Sequence, residues 1–178
     1  AEQFQITDSI GPGSFRRAGV REHYYPVYYI EPHCSNLDYF GVDVATDPEL
    51  FRTLTDARDT GEPRAAVVDS PREDHGGGKV LIVFRPLYER DGLTYTVNGR
   101  RASLRGFVIG VFGVKELVER GLSKLPAAPV GFCVWEKSHD SLTPLVKLLA
   151  VDRRSGEKVS CVGRPGRPGT PLAQLRRM

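Results

Sequence analysis

The sequence lacks several things that would assign it quickly. No run approaches the ~20 apolar residues that cross a bilayer, and Ala1-Glu2-Gln3 does not open a basic-then-apolar leader. Any membrane anchor is therefore expected outside these 178 residues. No charge of one sign prevails: 25 basic and 22 acidic residues leave +3, which does not point to nucleic acid. Cysteine is scarce. Cys34, Cys133 and Cys161 form no C-x2-C pair, which argues against zinc, and an odd number leaves their redox state open. There is no G-x-S-x-G elbow, so His75-Gly76-Gly77-Gly78 has no nucleophile to serve as an oxyanion-hole motif and reads as a loop. Gly11-Pro12-Gly13-Ser14 lacks the Gly-Lys-Ser/Thr of a P-loop. His33 and Cys34 are adjacent, and adjacent side chains rarely face each other. Gly166-Arg167-Pro168, with Arg164 nearby, has the core of a minor-groove hook, but two arginines make few phosphate contacts. No convergent set of acid, base and nucleophile remains, so no enzyme and no cofactor is expected.

What is present is a pattern of short strands and helices. Tyr24–Ile30 is aromatic and β-branched and predicts a strand, with Pro26 confining it to an edge. Asp47-Pro48-Glu49 is a helix start and Gly61 a helix stop, with Leu50, Phe51, Leu54 and Ala57 at helical spacing between them. The helix is expected over 48–60. A short strand follows at Ala65–Val68, then two runs, Val80–Leu87 and Gly106–Phe112, whose apolar character predicts neighbouring strands buried on both faces. Asp91-Gly92 and Asn98-Gly99 predict turns between them. Val114, Leu117, Val118 and Leu122 make an amphipathic helix. Strands are expected near 130–136, 145–151 and 158–162. The fold class is α+β, in two unequal units joined near residue 125.

Four pieces, in order, resemble one family. They are Tyr25-Pro26-Val27-Tyr28-Tyr29-Ile30-Glu31-Pro32 with Asn36 and Gly41-Val42-Asp43; the helix ending Ala57-Arg58-Asp59-Thr60-Gly61; Pro86-Leu87-Tyr88; and Gly106–Phe112 leading into Leu117-Val118. Across about residues 22–120 this resembles the CHASE domain, the extracytoplasmic sensor of bacterial and plant receptors. The resemblance implies tandem PAS-like units with antiparallel sheets, the N-terminal stalk helix and opening strand missing from this chain. It implies a membrane-distal ligand-binding unit over 1–125 and a membrane-proximal unit over 126–163, with a Gly/Pro/Arg-rich tail over 164–178. It also implies a histidine kinase or diguanylate cyclase as output, a homodimer in the whole receptor, a periplasmic or extracellular location, and a small-molecule ligand, purine-like or an organic acid. Contact with the membrane would run only through flanking segments. A structural or dimerisation domain of the same fold, with a degenerate pocket, is the alternative.

The resemblance also implies a site. The adenine-binding aspartate of plant cytokinin receptors falls on Asp43. A carboxylate in a partly apolar site needs a donor, from ligand or from protein. Asp43 therefore either binds a ligand or caps the loop before the helix. Expected pocket walls are Tyr28, Ala65, Phe84, Arg85 and Gly110. Ala65 stands where those receptors carry leucine, and Phe84-Arg85 where they carry Thr-Phe, which puts cytokinin itself in doubt. Arg85 is the only charge between Val80 and Tyr88. It either grips an anionic ligand group or pairs with Asp43 or another acid. Gly110 interrupts its apolar strand, a mark of close backbone approach, and shares a face with Val108 and Phe112.

Overall fold

The computed structural model describes residues 4–11, 13–32, 36–70, 78–123, 131–136 and 146–152. They form eight strands and three α-helices, an α+β arrangement. The strands are β1 (Thr7–Gly11), β2 (Ser14–Arg17), β3 (Val42–Asp43), β4 (Arg64–Ser70), β5 (Gly78–Tyr88), β6 (Leu104–Gly113), β7 (Gly131–Glu136) and β8 (Val146–Asp152). The helices are α1 (Pro48–Thr60), α2 (Val97–Ser103) and α3 (Val114–Ser123). The strands make three sheets, ordered β2-β1-β3, β4-β5-β6 and β7-β8. Two compact units result, one of residues 1–71 and 81–111, the other of residues 72–80 and 112–178. The boundary expected near residue 125, the strand at 158–162 and the tail from 164 lie outside the described residues.

Helix α1 begins and ends where its sequence directs. The Asp47 carboxylate accepts from the Glu49 and Leu50 amides at 2.8 and 3.0 Å, which satisfies two of the donors a helix start leaves open. Such a cap contributes about 1 kcal/mol. Pro48 occupies the first turn, where its missing N–H costs nothing. Gly61 closes the helix in the left-handed conformation, φ +78°, and its N–H donates to the Ala57 carbonyl at 2.9 Å. Thr53, Leu54 and Ala57 form the buried stripe. Leu54, Ala57 and Phe84 make the core, with Tyr25, Val44, Leu50, Ile82 and Phe107 packed against it. The Phe84 and Phe107 rings meet edge to face at 6.1 Å. Burying Leu54 or Phe84 contributes about 1.5–3 kcal/mol each.

Val80–Leu87 and Gly106–Phe112 do fall on adjacent strands of one sheet. Their burial differs from the expectation. On β5 the buried residues are Val80, Phe84 and Pro86, while Arg85 and Leu87 on the alternate face are exposed. On β6 Val108, Ile109, Val111 and Phe112 are all exposed. An apolar run reports β-propensity and not depth, and β6 closes its sheet as an edge among the described residues.

Three further corrections concern local structure. Tyr24–Ile30 is extended but is not a strand; it makes a single bridge, Pro26 to Asp43. Pro26 cannot donate, and the ladder reduces to bonds such as Val27 N–H to the Val42 carbonyl, 2.9 Å, and Gly41 N–H to the Val27 carbonyl, 2.8 Å. Asn98-Gly99 lies in the first turn of α2 and is not a loop. Thr96 caps that helix by accepting from the Gly99 amide at 3.0 Å. β1 and β2 pair antiparallel as a hairpin that their mixed composition did not announce, with Asp8 opposite Arg16 and Thr7 opposite Arg17. β1 then pairs in parallel with β3, Thr7 against Val42 and Asp8 against Asp43, so the sheets are not all antiparallel. Gly41 makes this approach feasible: its φ is +83°, and a Cβ there would stand 2.3 Å from the Gln5 carbonyl oxygen.

Candidate functional site

Asp43 is fully buried, at the end of a two-residue strand. Its Oδ1 accepts from the Tyr25 and Ala45 amides at 3.0 and 2.9 Å. Its Oδ2 accepts from Arg21 Nη2 at 2.8 Å. Its carbonyl accepts from Thr46 Oγ1 at 2.8 Å, which tightens the turn into α1. The carboxylate thus does what an Asp does before a helical turn, and in addition holds a cation.

The parallel register sets a second carboxylate, Asp8, directly opposite Asp43. Like charges placed so repel, more strongly once out of water. The Asp8 side chain is 8% exposed and that of Asp43 0%. The same Arg21 Nη2 donates to Asp8 Oδ1. One guanidinium therefore bridges two buried carboxylates. The hydrogen bond to Asp8, then the field of Asp43 and of Asp8, hold Arg21 above its usual pKa against the cost of burial. The second oxygen of Asp8 forms a looser ion pair with Arg16 Nε, at 3.9 Å, from an exposed side chain. Arg21 is itself held in place. Its amide donates to Tyr24 Oη at 2.8 Å, Tyr24 Oη donates to the Gly19 carbonyl at 2.8 Å, and its guanidinium carbon lies 5.0 Å from the centre of the Tyr24 ring.

The other expected wall residues do not converge on Asp43. Phe84 is buried in the core against which Tyr25 packs; the Tyr25 N–H reaches Asp43 and its ring lies 5.9 Å from that of Phe107. Tyr28 is 78% exposed and leans on Phe4, ring centres 5.7 Å apart. Ala65 and Arg85 are exposed, and Gly110 is half-buried on β6. The arginine on Asp43 is Arg21, not Arg85, which strand alternation turns to the face opposite Phe84. A cleft of about 450 Å³ lies beside Tyr24 and is lined also by Phe4, Gln5, Ile6, Arg17 and Ala18. Asp8 and Arg21 went unnoticed in the sequence because no short motif joins them to Asp43.

A second charged cluster ties α1 to α2. Asp59 Oδ1 accepts from Arg58 Nε at 2.7 Å and Arg101 Nε at 2.9 Å, and its Oδ2 accepts from Arg101 Nη2. Arg100 donates to the Asp59 and Thr94 carbonyls at 2.8 and 2.6 Å. Tyr88 Oη donates to the Arg58 carbonyl at 2.6 Å, and burial raises the pKa of its hydroxyl. The hydrogen bonds from Arg101, then Arg58, hold the Asp59 carboxyl well below the usual carboxylate range. Cations at a helix C-terminus also suit its dipole. Among the described residues no group of three or more His, Cys, Asp or Glu side chains is arranged to hold a metal ion, and no helix is long and apolar enough to cross a membrane.

A family model described as the CHASE domain matches residues 1–146. The chain belongs to the CHASE domain family. It is also similar to hybrid signal transduction histidine kinase A of Dictyostelium discoideum, 25% identical over 114 residues. That match covers 61% of this chain and 5% of the Dictyostelium protein. CHASE domains are sensor domains of signalling receptors such as histidine kinases, and the resemblance read from Tyr25 to Val118 is therefore shown.

Proposed function

We propose that this chain is the extracytoplasmic, non-catalytic, small-molecule-sensing part of a transmembrane receptor whose output is a histidine kinase or diguanylate cyclase. The match to the CHASE domain over residues 1–146 carries this reading, and the similarity to a hybrid histidine kinase supports a kinase output. The ligand is taken at Asp43, from the side on which Arg21 reaches it. In the whole receptor a tandem PAS-like arrangement and a homodimer transmit the change. A thermal-shift screen of purines, amino acids and organic acids tests the reading, because a molecule that binds only the folded state raises apparent stability. A hit should weaken about tenfold or more in Asp43→Asn, given the strength of charge-assisted hydrogen bonds. A hit indifferent to Asp43→Asn puts the ligand elsewhere.

A second reading has its own support. Phe84 fills the space between Leu54 and Phe107, and all the donors Asp43 needs come from the chain. A CHASE domain of this kind acts as a structural or dimerisation element with a degenerate pocket. An empty screen together with a stable dimer by sedimentation would establish it.

A further inference from the structure

Arginine stands at three places around the first hairpin, Arg16, Arg17 and Arg21. Arg16 and Arg21 pair with Asp8, and Arg21 with Asp43 as well. The side chain of Arg17, exposed at the end of β2, makes no ion pair or hydrogen bond among the described residues. It lines the cleft of about 450 Å³ that Phe4, Gln5, Ile6, Ala18 and Tyr24 complete. Small-molecule sites fall in the range of about 300–1,000 Å³. Arg17 is the one charge in the lining, and no carboxylate accompanies it there. The Gln5 side-chain amide has no partner either among the described residues. The backbone ties the two banks of the cleft together. Thr7 pairs with Arg17 across the hairpin, and the Ala18 N–H donates to the Ile6 carbonyl at 3.0 Å. The strand that carries Arg17 is thereby held against the chain that brings in Phe4 and Gln5. The cleft wall is mostly polar, and apolar surface lies at its edge. Phe4 lines the cleft and also meets Tyr28 and Phe40, ring centres 5.7 and 5.3 Å apart. Phe4 and Phe40 are each 42% exposed and Tyr28 78%, so three rings stand in water next to an unpaired guanidinium. Contiguous exposed apolar surface beside polar groups marks binding sites.

We propose that this cleft binds a small organic anion, a carboxylate carried on an aromatic ring, with Arg17 as the group that pairs with the carboxylate. A guanidinium meets a carboxylate in two parallel N–H···O bonds, which fixes orientation as well as charge. The Gln5 amide supplies a further donor. The ring of the ligand lies against Phe4, offset or edge on, and extends the group that Phe4 makes with Tyr28 and Phe40. An organic cation is disfavoured by the Arg17 charge, and a neutral aromatic leaves the guanidinium without a partner. The site is separate from Asp43, which does not line the cleft, and it does not depend on the sensing reading.

Benzoate tests this on the full 178-residue chain by calorimetric titration, with neutral benzamide as the isosteric control and acetate as the anion without a ring. The wild type is expected to bind benzoate, and benzamide and acetate about tenfold more weakly or worse. Arg17→Ala should weaken benzoate about tenfold. Arg90→Ala removes the same charge from an exposed turn outside the cleft lining and should leave the affinity unchanged. Phe4→Leu should weaken benzoate about threefold and leave acetate as it was. The Arg17 side chain holds nothing else in place, so Arg17→Ala should fold; where it does not, Arg17→Gln gives the same ordering. In amide spectra of the isotope-labelled chain, benzoate should shift the resonances of Gln5, Ile6 and Ala18. No benzoate binding, benzamide binding as tight as benzoate, equal losses in Arg17→Ala and Arg90→Ala, or shifts confined to residues outside the cleft each overturns the proposal. Failure here does not bear on the reading at Asp43, whose own test is the effect of Asp43→Asn on a screened ligand.

Discussion

Two arginine–carboxylate clusters hold this domain together, and they are built in opposite proportion. At Asp8 and Asp43, two buried carboxylates share one arginine. At Asp59, one partly exposed carboxylate is shared by two arginines. The first keeps both carboxylates away from water, where an unpaired ion is costly. The second carries excess positive charge at the surface, where water and salt screen it. The same pair of residue types therefore makes a site that depends on its cation in one place and a brace that tolerates loss in the other.

The largest test of that contrast is Arg21→Ala. It removes the guanidinium that bridges two buried carboxylates, and urea unfolding should show a loss of about 3 kcal/mol, the low end for breaking a buried pair because the Arg21 side chain is one-third exposed. A loss below about 1 kcal/mol would make the two clusters equivalent. Asp43→Asn comes next, at about 2 kcal/mol. Its amide oxygen still accepts from Tyr25 and Ala45, but its NH2 group now faces the Arg21 guanidinium, donor against donor.

Asp59→Asn should cost below about 1 kcal/mol. Because the folded-state pKa of Asp59 is depressed, its contribution is present above the unfolded value near ~3.9 and is lost as pH falls through the folded one. The stability difference between wild type and Asp59→Asn should therefore narrow as pH drops from about 5 towards 2, measured by thermal unfolding. A gap that widens on acidification would contradict the assigned direction. The smallest effect is that of salt. Raising ionic strength from about 0.1 to 1 M shortens the screening length from about 10 to 3 Å. The Asp59→Asn effect should shrink by a few tenths of a kcal/mol, while the Asp43→Asn effect, out of solvent, should persist.

These clusters also mark the limits of reading the chain alone. Helix α1 was legible to the residue because Asp47, Pro48 and Gly61 act on their own neighbours. The adjacency of β5 and β6 was legible from two apolar runs, but their depth was not, since an edge strand and a core strand share a composition. The β1–β2 hairpin was hidden by Thr7-Asp8-Ser9 and Arg16-Arg17, polar where a half-buried strand would alternate. At the site, Asp43 stood out only by resemblance. Its partners Asp8 and Arg21 come from β1 and from the loop after β2, and nothing in their local sequence states that they meet. Asp59 lay inside a quoted motif, yet Arg100 and Arg101, which hold it from α2, drew no reading of their own beside the Asn98-Gly99 pair expected as a turn.

The parallel pairing of β1 with β3 has a kinetic consequence. Parallel strands cannot be joined by a tight turn, and Thr7 reaches Val42 only after the hairpin and the whole segment from Ala18 to Gly41 have been laid down. Closing so long a loop costs chain entropy before any contact offsets it. Helix α1, by contrast, closes through neighbours. We expect pulsed hydrogen exchange during refolding to protect the α1 amides before those of Thr7 and Val27, with early protection at Thr7 arguing against this order. The acidic pair would then be brought together in one of the last steps of folding, at the moment when Arg21 is there to receive it.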